Sequence, residues 1–160
     1  MADNKRAYEA MFLLSQGTAA DLRGAIDHIN ELLTRCQAEV VAMKKWDERR
    51  LAYEIDKQKR GTYILAYFYA PTGMVQQLER DCNISEKIMR VLILSAEHLT
   101  EEEMRSTDAR QELEVEARLR AERGSQEEQV RETVTIGAPQ REEEEAPAAD
   151  DVEEPSSEEN

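Results

Sequence analysis

The chain has 160 residues and a formal net charge of −14, from 21 Lys and Arg against 35 Asp and Glu. All of that charge lies beyond residue 99: residues 1–99 hold 14 groups of each sign, whereas 100–160 hold 7 basic and 21 acidic groups and no aromatic residue. This describes one core-forming domain of about 100 residues with an acidic extension poor in core-forming side chains, and no run approaches the roughly 20 apolar residues that cross a bilayer.

In chain order, 6–14 (RAYEAMFLL) alternates, with Tyr8, Ala10, Phe12 and Leu14 on one side, and predicts a strand. Ser15-Gln16-Gly17-Thr18 breaks it, and Thr18 is the expected cap of a helix with Asp21 in its first turn. Leu22, Ala25, Ile26, Ile29, Leu33 and Cys36 then form one apolar stripe, with His28 on the opposite, polar side.

Residues 38–55 are extended. Val40, Ala42 and Trp46 share one parity and Arg49, Leu51, Tyr53 and Ile55 the other, so a bulge is expected near Trp46-Asp47-Glu48. A polar turn over 56–61 (DKQKRG) leads into 62–70 (TYILAYFYA), which is apolar on both parities, as a central strand should be. Pro71 ends that strand, and Thr72 is the expected cap of a second helix carrying Met74, Val75, Leu78 and Cys82. A last strand covers 86–96 (EKIMRVLILSA).

The order β-α-β-β-α-β predicts an α+β, ferredoxin-like sandwich: a four-stranded antiparallel sheet with two helices on one face. Right-handed crossovers would set the first and third strands parallel at the centre, with the second and fourth at the edges. Two helices cover one face only, yet the other offers Tyr63, Leu65, Tyr67, Tyr69 and Leu92. That surplus predicts a covering molecule; the tail helix or a second copy are the alternatives.

Beyond the domain at 1–99, Thr100-Glu101-Glu102-Glu103 is a capping-box signature. Pairs at i,i+4 (Glu101–Arg105, Glu114–Arg118, Glu116–Arg120) predict a charged, solvent-exposed helix over 100–124, ending at Gly124-Ser125. The acidic tail 125–160 contains three of the four prolines and is expected to be disordered. It reads either as an arm for a basic neighbour or guard against stray RNA, or as a solubilising tail.

Little here suggests an enzyme. Cys36 and Cys82 stand 46 positions apart without a CxxC, and His28 and His98 are isolated, so buried free thiols and no metal or cofactor are expected. The loop after the first strand has one Gly and no Arg, too little for a phosphate cradle. The N-terminal residues lack the pattern of a secretory signal.

A nucleic-acid signal is more substantial. Lys44, Lys45, Arg49, Arg50, Lys57, Lys59 and Arg60 crowd the second strand and its turn, interleaved with Trp46 and Tyr53, while Lys5, Arg6, Lys87 and Arg90 open two other strands. Such groups neutralise phosphates and stack on bases. Residues 60–67 (RGTYILAY) match part of the RNA-recognition octamer, with Thr62 and Ile64 in place of its two stacking aromatics. An RNA-recognition-motif-like RNA-binding regulator is one reading this leaves open, and a self-associating module without RNA is another.

Arg6-Ala7-Tyr8-Glu9, the run 46–55 (WDERRLAYEI) and Arg90-Val91 resemble the bacterial small-subunit ribosomal protein six family, in spacing and order, over about residues 5–97. The resemblance implies a non-enzymatic, cytoplasmic component of the small ribosomal subunit, without cofactor, membrane or small-molecule substrate. It further implies binding to the central domain of small-subunit ribosomal RNA together with ribosomal protein eighteen. Carried over by position, Arg6, Tyr8, Arg49 and Arg90 are the RNA- or partner-contact candidates; Lys44, Lys45, Arg50 and Lys87 join them on charge alone. Asp47 stands where the family often has Gly, and Glu54 where Pro is usual, adding negative charge near the expected contacts.

Overall fold

The computed structural model describes residues 5–136. Its elements are β1 (Lys5–Ser15), α1 (Gln16–Ala20), α2 (Leu22–Arg35), β2 (Glu39–Ile55), β3 (Gln58–Pro71), α3 (Thr72–Ile84), β4 (Ile88–Ser95), α4 (Glu101–Ser106) and α5 (Arg110–Ile136). The sheet order is β2-β3-β1-β4 with every pairing antiparallel. The expected order is present, but β1 and β3 are antiparallel rather than parallel. A crossover keeps β2 in the direction of β1, and the tight β2–β3 hairpin then reverses the chain before it returns between them.

The hairpin is closed by two residues rather than six. Ile55 pairs with Gln58, and Asp56 and Lys57 both take positive φ (49° and 62°), which matches the right-handed twist of the flanking strands. Lys59, Arg60 and Gly61 therefore belong to β3. The bulge foreseen near Trp46 is present as a register shift between Lys45 and Asp47, with a second between Val40 and Ala42. Asp47 is not among the positive-φ residues; its carboxylate instead accepts the Glu48 N–H at 2.7 Å.

The first crossover is two helices. Ser15, not Thr18, caps α1 by accepting the Thr18 N–H, and Asp21 caps α2 by accepting from Gly24. Thr72 is the first residue of α3, whose N-cap is Pro71. His28 is half-buried, not solvated: its Nε2 lies 2.7 Å from Ser85 Oγ and ties α2 to the end of α3.

The main core lies between the sheet and α2 and α3. Tyr8, Phe12, Leu14, Ile64 and Phe68 meet Leu22, Ile29, Leu33 and Leu78 there, all buried. Cys36 and Cys82 are free and lie in this core, where burial pushes the Cys82 thiol up to about 12 and raises that of Cys36.

Beyond β4 the expected single helix is two, and neither is wholly solvent-exposed. Thr100 and Glu103 form the foreseen capping box of α4, whose Met104 is buried on the sheet face opposite α2. The chain then crosses the β2 edge, and α5 buries Leu113 and Ala117 in the main core on the other side. Helix α5 also continues through Gly124-Ser125 to Ile136, since one glycine costs only about 1 kcal/mol in a helix. Of the tail 125–160 expected to be disordered, 125–136 is instead part of α5, and 137–160 lies outside the described residues.

Candidate RNA and partner interface

The sheet face away from α2 is organised by strand register into cross-strand rows. One row is Asp47, Tyr63, Leu13 and Arg90; the next is Lys44, Leu65, Met11 and Leu92; the third is Ala42, Tyr67, Glu9 and Leu94. These rows are covered unevenly. At the β2 side of the third row, Met104 packs with Ala7, Ala42, Leu65, Tyr67 and Ala96. Near the hairpin, Leu51 and Ile55 pack with Leu13, Tyr63 and Met89.

Of the five residues expected to lie open on this face, Leu65 and Tyr67 are therefore buried and Tyr69 is half-buried. The Tyr67 hydroxyl has its pKa pushed up to about 12, by burial first and then by its hydrogen bond to Glu9. Tyr63 is half-buried, and Leu92 is open at 57 % exposure, with Leu94 beside it in the same strand. The covering molecule expected from sequence is in part the chain itself, because α4 supplies Met104. What stays open is the β4 side and the row around Trp46, whose ring meets Tyr63 edge-on at 5.8 Å.

Lys44, Arg49 and Arg90 fall on this face: Lys44 opposite Leu65, Arg49 opposite Gly61 and Arg90 opposite Leu13. Arg49 and Arg90 are exposed and Lys44 half-buried. The Arg49 guanidinium lies 3.6 Å from Asp47, a solvent-accessible pairing that leaves most of its donors available. Arg6 is also exposed, at the start of β1 and 3.6 Å from Glu97. Lys87 is exposed ahead of β4.

Three candidates are elsewhere. Tyr8 is a core residue rather than a contact, stacked on Phe68 with ring centroids 5.9 Å apart, on the side of β1 it shares with Ala10, Phe12 and Leu14. Arg50 is exposed opposite Arg60, on the other parity of the hairpin. Lys45 faces the helices, opposite Ile64, where its Nζ is 2.7 Å from Glu116 and 3.0 Å from Glu48.

Lys45 belongs to a four-charge cluster that sequence reading missed. Arg120 lies 2.7 Å from both Glu48 and Glu116 and donates a further bond to the Ala19 carbonyl. Burial works against both Glu116 and Lys45, but their mutual bonds outweigh it, lowering the pKa of the acid and raising that of the base. Glu48 is lowered chiefly by its bond from Arg120. The Glu116–Arg120 spacing was visible in the sequence; that this pair would face β2 rather than water was not.

The octamer-like run 60–67 has a structural explanation. Thr62 and Ile64, at the positions where an RNA-recognition motif bares its aromatics, face the helices and are fully buried. Gly61 sits at a close approach of strands: a Cβ there would lie 2.5 Å from Leu13 Cδ1 and 3.2 Å from the Leu14 carbonyl oxygen, so the Leu13 side chain would have to shift.

Among the described residues no group of three His, Cys, Asp or Glu is placed to hold a metal, and no helix is long and apolar enough to cross a membrane. Comparison with known proteins supplies the family. The model of ribosomal protein S6 matches residues 7–95. The small ribosomal subunit protein bS6 of Campylobacter lari is 37 % identical over 97 residues, 60 % of this chain and 78 % of that protein. Its counterpart from Campylobacter jejuni is 37 % identical over 95 residues, covering 59 % and 76 %. The crystal structure of 30S ribosomal protein S6 from Thermotoga maritima superposes with a TM-score of 0.55 at 21 % identity, covering 64 % of this chain and 98 % of that one, which speaks for the fold. The chain belongs to the ribosomal protein S6 family, whose members are structural proteins of the small ribosomal subunit.

Proposed function

We propose that this protein is a non-enzymatic constituent of the small ribosomal subunit that binds the central domain of small-subunit ribosomal RNA together with ribosomal protein eighteen. The family match over 7–95 carries this reading. Its physical support is one sheet face that carries Lys44, Arg49 and the half-exposed Trp46 on β2 and Arg90 with the open Leu92 and Leu94 on β4. Cationic side chains there neutralise phosphates, Trp46 offers a ring for stacking, and the β4 leucines suit an apolar protein surface. Arg6 and Lys87 extend the positive charge to the ends of two strands, while Lys45 is committed to α5 and Tyr8 to the core. An RNA-recognition-type regulator lacks support, since its stacking positions are occupied by buried Thr62 and Ile64.

The test is co-sedimentation of the native protein with small subunits through a moderate-salt wash, where retention is expected and recovery only in the soluble fraction would count against this role. At residue level, Arg49→Ala is expected to weaken binding to ribosomal RNA plus partner and to reduce the salt slope by about one. Unchanged affinity and slope would remove Arg49 from the interface.

A further inference from the structure

Strand β2 spans Glu39–Ile55 and forms one edge of the sheet. An edge of 17 residues would present a long row of unpaired N–H and C=O groups, a template for another strand. Its hairpin half is protected by charge, with Lys44, Lys45, Asp47, Glu48, Arg49 and Arg50, and by the bulge at Trp46. The preceding stretch, Val40-Val41-Ala42-Met43, has a register shift of its own between Val40 and Ala42 but neither charge nor proline.

The chain's own extension lies on that stretch. Asp108 accepts the Met43 N–H at 3.1 Å, the Ala109 N–H donates to the Met43 carbonyl at 3.1 Å, and Arg110 donates to the Val41 carbonyl at 3.4 Å. On either side of this crossing, Met104 is buried on one sheet face and Leu113 and Ala117 on the other. The Lys45–Glu48–Glu116–Arg120 cluster fastens the far end. Residues 101–120 thus form a clip around the edge, and they lie outside the 7–95 span matched by the family model.

We propose that the 101–120 clip is an intramolecular edge cover that excludes a second copy of this chain from strand pairing along 40–43 of β2. The occupant excluded is another β2, because the stretch is apolar, uncharged and able to pair with itself in antiparallel register. The other edge has less need of a cover: β4 is 8 residues long and its pairing is interrupted by a register shift near Leu13.

The experiment uses the full chain. Asp108→Ala combined with Ala109→Pro removes both partners of Met43, and proline is compatible with the start of a helix. Arg120→Glu opens the clip from α5 without altering β2 or the crossing. Hydrogen exchange at Met43 and sedimentation velocity over a range of concentrations are measured for each. The expected result is Met43 exchange accelerated by about tenfold at low concentration. Concentration-dependent dimers, in which 40–43 regain protection, should accompany it, while the wild type stays monomeric. A variant that exchanges faster yet stays monomeric would overturn the proposal, as would unchanged Met43 exchange in both variants. Loss of protection throughout β1 and β3 in both would also overturn it, because the clip would then be core rather than cover.

Discussion

The two edges of the sheet are finished in opposite ways. Along β2, backbone groups are capped by Asp108, Ala109 and Arg110, flanking apolar groups are buried beneath Met104 and Leu113, and Lys45 is neutralised by Glu48 and Glu116. Along β4, Leu92 and Leu94 remain at least half exposed and Arg90 is open. The contrast teaches that residues 100–120, which composition alone assigns to an acidic appendage, complete one side of the domain and leave the other open.

The contrast should appear first in stability. Leu113→Ala removes a side chain that is 2 % exposed and is expected to cost about 3 kcal/mol in urea unfolding, whereas Leu92→Ala should change stability by less than about 0.5 kcal/mol. Equal effects would erase the distinction between a closed edge and an open one.

Acid should loosen the β2 side selectively. Burial raises the Asp108 pKa, but bonds from Arg110 and the Met43 N–H outweigh it, so this carboxylate, like Glu48 and Glu116, lies below its ordinary value. Groups with depressed folded pKa values stabilise at neutral pH, and that contribution is lost as pH falls past the ordinary carboxylate range and through their folded pKa values. Protection of the Met43 amide, relative to its intrinsic exchange rate, should therefore fall as pH drops through the depressed carboxylates, ahead of amides in β1. Simultaneous loss would make the clip inseparable from the sheet.

Smaller effects sharpen the boundary between covered and open rows. Tyr67→Phe should cost about 1 kcal/mol through loss of the bond to Glu9, measured by thermal unfolding. Thr62→Val should be neutral within about 0.5 kcal/mol or stabilising, because the buried Thr62 hydroxyl has no hydrogen-bond partner among the described residues.

Strand parity and helical periodicity made most of the domain legible, because each strand must send alternate residues into a core and each helix one stripe. Tyr8 shows the strength of that signal: its alternation with Phe12 and Leu14 described its environment better than its place in a family motif did. The clip was illegible for a physical reason. Among the described side chains of α5 only Leu113 and Ala117 enter the core, too few for an amphipathic pattern, and the remaining attachment comes from charges whose partners lie about 70 residues away in β2. The open face was half legible, since apolar surplus on β3 and β4 was evident but its division between Met104 and solvent was not.

The pairing of Trp46 with Tyr63 gives this face its own optical readout. Trp46 is the chain's single tryptophan, 49 % exposed and edge-on to a neighbouring ring, at the border between covered and open rows. Its emission comes from one location, so a blue shift on adding RNA or protein would register water leaving that border without any label. A titration showing no shift, with binding established by sedimentation, would place the bound molecule elsewhere on the domain.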